Sequence, residues 1–338
     1  MINNILFRIN AGDAHGLGHL SRNLVLADIF NKNEFTCKFL IETDNEQKTL
    51  EFIKHKSAKN FKIIFLHHGI DINNDINNIK NNYLIGKCFL ILDHYNHDVE
   101  YHKALKINNI KWAQYDYKKE NQIISDIVIN ANIGVKTIDY KAITNKKTKL
   151  CIGEKYALIN KVFKKTLQSK IENKILIAMG GGAYPIQLMD MIKHIVANND
   201  YIFDIITSDN RLTIELEFFK NVQCHKNPIN IADIYARNQF AFVAGGVTTY
   251  ELAYLDIPMI LIPYTENQKQ NAIIWQEYFS GISFSSIEIF TIILRKEGLK
   301  SIIKKLLQHY KKGTVIIDGN GAKRIVNKII KFINEQSN

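Results

Sequence analysis

Short unbroken apolar runs alternate along this chain with longer segments whose apolar positions recur every three or four residues. The runs at 4–10 (NILFRIN), 37–41, 62–66, 88–92, 110–113, 126–129 and 149–152 read as strands buried on both faces, the pattern of a parallel sheet covered by helices. Segments such as 47–56 and 99–107 read as the amphipathic helices between them. Residues 160–173 (NKVFKKTLQSKIEN) are basic, carry little apolar pattern and read as a linker. The alternation then restarts, with strands expected at 174–179 (KILIAM), 201–206, 241–244 and 258–262 and helices at 185–197, 248–255 and 268–279. For 287–311 only helical periodicity is visible. The Asn-rich run 71–83 (DINNDINNIKNNY) reads as a helix edge and loop, its composition set by A/T-rich codons, with no function of its own.

Two strand–helix blocks that each open on a strand and a glycine turn predict an α/β protein of two Rossmann-like domains facing a cleft. Ligands in such folds bind at the carboxyl ends of the parallel strands. The expected division is 1–159, a linker at 160–173, and 174–338.

Composition narrows the class. A chain of 338 residues with 46% hydrophobic and 23% charged residues is globular, not disordered. No apolar run reaches the ~18–20 residues that span a bilayer. The first residues (MINNILFRIN) lack a charged segment followed by an apolar one, so no signal peptide and no integral membrane segment are expected. The four cysteines, Cys37, Cys88, Cys151 and Cys224, show no CxxC spacing, which argues against zinc and a disulfide framework and fits a reducing cytoplasm. The net charge of +11 is scattered in short lysine clusters without interleaved aromatics. That is the signature of a solvated surface, and no nucleic-acid partner is expected.

Four groups carry candidate chemistry, each at the end of an expected strand. The first is the loop 11–18 with Gly16 and Gly18, followed by His19 at the start of a helix. Backbone N–H groups and the helix dipole make an anion site there, with His19 as a proton acceptor beside it. The plain alternative is a structural turn. The second is Asp93-His94-Tyr95 after the run 88–92, where His94 or Tyr95 would touch a substrate and Asp93 would orient a ring; the alternative is Asp93 as a helix cap with two bystanders. The third is Gly245-Gly246-Val247-Thr248-Thr249, a second backbone cradle with hydroxyls, followed by Glu251, whose carboxylate could accept both ribose hydroxyls of a nucleotide. Its alternative is ordinary capping chemistry. The fourth is Asn267-Gln268, which can bond sugar hydroxyls or cap a helix. Two cradles suit one diphosphate, so a nucleotide-sugar enzyme is expected, with His19 serving the sugar and the C-terminal block the nucleotide.

The order of Phe7-Arg8, Gly16-x-Gly18-His19, Arg22, Leu92-Asp93-His94-Tyr95, 126–132 (DIVINAN), 153–158 (GEKYAL), Met179-Gly180-Gly181, 245–251 and 318–322 (DGNGA) resembles the nucleotide-sugar hydrolases of pseudaminic acid biosynthesis. These bacterial enzymes cleave UDP-2,4-diacetamido-2,4,6-trideoxy-β-L-altropyranose to free sugar and UDP. The resemblance implies the GT-B fold, with His19 as general base, Tyr95 beside the reacting sugar and Gly180 and Gly181 in a substrate turn. It also places the diphosphate on Gly245, Gly246, Val247, Thr248 and Thr249, the ribose on Glu251, and Asn267 and Gln268 near the sugar or phosphates. It implies inversion by water attack at the anomeric carbon, with no cofactor; with no DxD pair, no metal is expected either. Members usually carry aspartate where this chain has Asn10 and serine where it has Gly12; Asp13 is the candidate replacement carboxylate. The rival expectations are a GT-B glycosyltransferase with a glycan or lipid acceptor, and a catalytically silent nucleotide-sugar binder.

Overall fold

The computed structural model describes residues 2–57, 59–116, 122–163, 170–180, 184–198, 200–226, 228, 230–278, 281–310 and 317–336. The chain divides into two compact units, Met1–Asn160 with Gly319–Asn338, and Lys161–Asp318.

The first unit is built on seven parallel strands: β1 (Asn4–Ala11), β2 (Thr36–Thr43), β3 (Lys62–His67), β4 (Cys88–Asp93), β5 (Trp112–Tyr115), β6 (Ile127–Asn130) and β7 (Lys149–Ile152), in the order β3-β2-β1-β4-β5-β6-β7. The strand order reverses between β1 and β4, and that switch point is where a doubly wound sheet opens a crevice at its carboxyl edge. The register sets Ile9 of β1 level with Asp93 of β4, and Ala11, Thr43 and His67 level across β1, β2 and β3. All six residues of β4 are buried, as its unbroken apolar run requires.

The second unit repeats the plan with β8 (Lys174–Ala178), β9 (Ile202–Ile206), β10 (Val222–His225), β11 (Phe240–Val243), β12 (Met259–Leu261) and β13 (Gly281–Ser283), ordered β10-β9-β8-β11-β12-β13. Its switch point lies between β8 and β11. The segment 287–311 supplies two helices, Ile287–Glu297 and Leu299–His309, whose Phe290, Leu294, Ile302 and Leu306 pack into this unit's core.

Two features differ from the sequence reading. The closing helix Gly321–Glu335 belongs to the first unit, not to the C-terminal one. Its apolar stripe, Ile325, Val326, Ile329, Phe332 and Ile333, is buried with Leu20, Leu24 and Phe30. A Cβ on Gly321 would lie 2.1 Å from the Ala157 carbonyl oxygen, so this glycine of the DGNGA motif serves close packing. The second unit begins at Lys161, inside the expected linker; Phe163 is buried and packs on Tyr235 with ring centroids 5.6 Å apart, while 164–169 lie outside the described residues.

Candidate active site

In the first unit, the helix Gly18–Lys32 starts directly after the loop that follows β1, and it brings His19, Arg22 and Asn23 to one face by their three- and four-residue spacing. That face meets the end of β4. The His19 ring is 4% exposed, and its Nδ1–H donates to the Asp93 backbone carbonyl at 2.8 Å, with Asp93 Oδ1 3.2 Å away. A carbonyl can only accept, so Nδ1 carries the proton and, in the neutral ring, Nε2 carries the lone pair.

Asp93 is completely buried. Arg22 grips it with two nitrogens, Nε–H donating to Oδ2 at 2.6 Å, and Asn23 Nδ2 donates to Oδ2 while also bonding the His19 carbonyl at 2.8 Å. Burial pushes the Asp93 carboxyl up, but Arg22 and His19 outweigh it and hold it below the usual carboxylate range. The guanidinium of Arg22 in turn lies over the Tyr115 ring, 4.6 Å from its centroid. Asp93 caps no helix; the next helix begins at Val99 and is capped by Asp98. Tyr95 is 43% exposed and meets the His19 ring edge-on, with centroids 4.6 Å apart.

His94 behaves otherwise than expected. Its ring is fully buried, packed on Tyr101 and His97, and its Nδ1 accepts the Asn96 N–H at 3.2 Å. Burial, reinforced by the nearby Arg8, pushes its imidazole well below the ordinary range. It is a neutral core histidine with no exposed surface to offer a substrate.

The glycine loop is also more occupied than its pattern suggests. Gly12 sits at φ +117°, and the N–H groups of Asp13 and Ala14 donate to the Asp44 carboxylate at 2.7 and 2.9 Å. A protein carboxylate therefore fills part of the anticipated anion cradle. The Asp13 side chain pairs with Lys48 of the neighbouring helix Glu46–Lys56 and accepts from its N-cap Asn45 at 2.9 Å, so it does not replace a carboxylate beside His19. Gly16 turns the loop at φ +71°, and Gly18 has open space where a Cβ would stand.

Arg8, Glu42 and Asp75 form a buried polar cluster behind this site that sequence reasoning missed. Arg8 Nε donates to both Asp75 oxygens at 2.8 and 3.0 Å, Nη2 donates to Glu42 at 2.6 Å, and Nη1 donates to Asn10 Oδ1 at 2.9 Å. Asp75 comes from the Asn-rich run, which is the regular helix Ile72–Asn82 with Asp75, Ile76 and Ile79 buried. The signal was present as an acidic residue directly before Ile76 and one turn before Ile79 in a polar repeat. The roles of Arg22 and Asn23 were readable from their spacing to His19.

In the second unit, β11 ends in a turn whose two glycines do different work. Gly245 stands at φ +99°, and a Cβ there would come 3.0 Å from the Gln268 carbonyl oxygen, so packing against the helix Glu266–Tyr278 explains it. Gly246 is exposed with nothing near a Cβ, and Val247 beside it is 64% exposed. The Thr249 hydroxyl is buried and donates to the Gly246 carbonyl at 2.6 Å, so it is not available to a diphosphate. Thr248 opens the short helix Thr248–Tyr254 and lies near Tyr235, as does Glu251 one turn on. Gln268 Oε1 accepts the N–H groups of Tyr264 and Thr265 at 3.0 and 3.1 Å, which is the capping alternative. At the end of β8, Gly180 turns at φ +107° and its carbonyl accepts the Tyr184 hydroxyl at 2.8 Å. Gly181 and the Asn267 side chain lie outside the described residues.

No protein-family profile matches the chain. It is 25% identical over 289 residues to an uncharacterized protein of Methanocaldococcus jannaschii, covering 79% of this chain but only 56% of that protein, so it spans little more than half of that relative. It is 24% identical over 276 residues to the UDP-2,4-diacetamido-2,4,6-trideoxy-beta-L-altropyranose hydrolase of Campylobacter jejuni, covering 79% of this chain and 94% of that enzyme. Among solved structures it is similar to MnaA of Staphylococcus aureus with UDP, at TM-score 0.68, 8% identity and 98% and 97% coverage. MurG of Acinetobacter baumannii matches at TM-score 0.59, 12% identity and 97% and 99% coverage. The fold is thus α/β with two parallel Rossmann-like sheets, of the GT-B class. Among the described residues, no helix is long and apolar enough to cross a membrane.

Proposed function

We propose that this protein is a nucleotide-sugar hydrolase that cleaves a UDP-linked 2,4-diacetamido-2,4,6-trideoxy sugar to free sugar and UDP. The observation that carries the reading is the His19–Asp93 pair: a buried imidazole whose proton is fixed on Nδ1 by a carbonyl, held from behind by an anchored carboxylate, beside an exposed tyrosine. The likeness to the Campylobacter hydrolase over most of that enzyme's length supports the substrate class.

In this mechanism a water attacks the anomeric carbon and gives its proton to His19 Nε2. The bond from that carbon to the diphosphate oxygen breaks, and UDP leaves with the electron pair. The Asp93 carboxylate stabilises the imidazolium that forms, as a buried anion does for a histidine base. Tyr95 flanks the reacting sugar. A single displacement inverts the anomeric configuration. In the second unit, Gly246, Val247 and Thr248 are the backbone groups assigned to the diphosphate and Glu251 the ribose ligand. The Thr249 hydroxyl is withdrawn from that set by its bond to Gly246.

Incubation with the UDP-sugar and no acceptor tests the reading. Stoichiometric release of UDP and free sugar is expected, and His19→Ala should reduce the rate by ~10²–10⁴-fold, the usual worth of a positioned base. Only trace release, rising when a hydroxyl acceptor is added, would assign the chain to the glycosyltransferases instead.

A further inference from the structure

The carboxyl ends of β1, β2 and β3 bring together a second group of side chains, separate from His19 and Asp93. His15 comes from the loop after β1, Glu42 is the penultimate residue of β2, and His68 directly follows β3. One donor atom from each lies within 4.8 Å of the others, and His68 Nδ1 is 3.8 Å from Glu42 Oε1. The two histidine rings lie at a centroid distance of 5.2 Å, tilted 58° to one another.

Two further observations point to a ligand. The His15 Nε2 atom is shut off from solvent and has no hydrogen-bond partner among the described residues. An imidazole nitrogen buried without a partner is costly, and a bound ion resolves the cost. Secondly, the buried Arg8 guanidinium faces two buried carboxylates, Glu42 and Asp75. When both are ionised, one guanidinium leaves a net negative charge in the interior, where an uncompensated charge is expensive. Tyr101 donates its hydroxyl to Asp75 at 3.1 Å, which shares that charge without neutralising it. Glu42 Oε1 accepts the Gly69 N–H at 2.9 Å and still has a second lone pair for a cation.

We propose that His15, Glu42 and His68 bind a divalent first-row transition ion, with zinc as the natural occupant. Two imidazoles and one carboxylate are a recognised zinc set that leaves a coordination position open. Tetrahedral zinc with bonds of ~2.0–2.2 Å places its ligands ~3.3–3.6 Å apart, so donor atoms that lie within 4.8 Å of one another close on it by side-chain movements, with His68 the most exposed member. Arg8, bonded to Glu42 Oε2, orients the carboxylate as an outer partner. The ion would pin the loop 12–16 to the sheet edge, beside Tyr95, whose ring centroid is 6.3 Å from that of His15. This departs from the metal-free expectation of the sequence and does not rest on the hydrolase reading.

The test is zinc titration of the untagged, chelator-treated chain in competition with a chromophoric chelator, alongside His15→Ala and His68→Ala. Both residues lie in loops, and thermal unfolding without metal checks that both variants fold. One zinc per chain is expected, with a rise in wild-type Tm on saturation. Each variant should weaken binding by at least ~100-fold, since changing even an outer partner typically costs 10–100-fold. Absence of one-to-one binding, or wild-type binding in either folded variant, overturns the assignment.

Discussion

Arg22, Asn23 and His19 all converge on the single buried carboxylate of Asp93, and the chemistry assigned to His19 depends on that anchorage. Replacing Arg22 with Met leaves Asp93 without its cation and should destabilise the fold by roughly 3 kcal/mol, as for other broken buried pairs. The sign of the pH effect follows from linkage. The Asp93 carboxyl lies lower in the folded protein than its unfolded value near 3.9, so its stabilisation is fully present above that value. It is lost as pH falls through the folded pKa. Urea unfolding at pH 7 and across pH 5 to 3 should show wild type losing more stability in acid than Arg22→Met does; parallel curves would remove Arg22 as the cause. The thiols give a separate check. Burial pushes Cys37, Cys88 and Cys151 each up to about 12, so in native protein at pH 8 these three should resist a thiol reagent while the part-exposed Cys224 reacts first. At this scale the sequence disclosed which residue types stand at strand ends, but not where their side chains point. His94 and Tyr95 are adjacent, yet the first is swallowed by the core and the second faces outward, a consequence of packing around Tyr101 that no local pattern carries.

The strand–turn–helix elements were legible because parallel strands buried on both faces cannot avoid continuous apolar runs. The expected strand at 149–152 coincides with β7, and 62–66 differs from β3 only by its last residue. The strands missed were β10 and β13, of four and three residues. Both lie at sheet edges, and β10 is part-exposed with a polar residue at every second position, so neither produces an apolar run. The glycine turn after β11 separates packing from binding. Gly245→Ala should cost about 1–3 kcal/mol of stability, because φ is positive and the new Cβ would press on the Gln268 carbonyl. Gly246→Ala should leave thermal stability within ~0.5 kcal/mol yet weaken UDP binding severalfold by calorimetry, since its Cβ meets only the space assigned to the diphosphate. Unchanged UDP affinity in Gly246→Ala would move the nucleotide away from this turn.

On the scale of the whole molecule, the chain crosses from the first unit to the second and returns to finish the first with the helix Gly321–Glu335. The sequence reading named no helix there and left these residues with the C-terminal unit, because a helix after the second sheet has no sequence mark naming the sheet it will cover. Ending the chain at 318 should expose Leu20, Leu24 and Phe30 and abolish the unfolding transition of the first unit in calorimetry, whereas the second unit keeps its own. Gly321→Val, with its Cβ driven into the Ala157 carbonyl, should lower the first unit's stability by about 3 kcal/mol. The central claim is that water attacks the sugar carbon under the control of His19. Turnover of the UDP-diacetamido sugar in ¹⁸O-water tests it most directly, with mass spectrometry of both products. The account predicts the heavy oxygen on the anomeric carbon of the released sugar and none in UDP. Label in the UDP phosphate, or no free sugar at all, would contradict it.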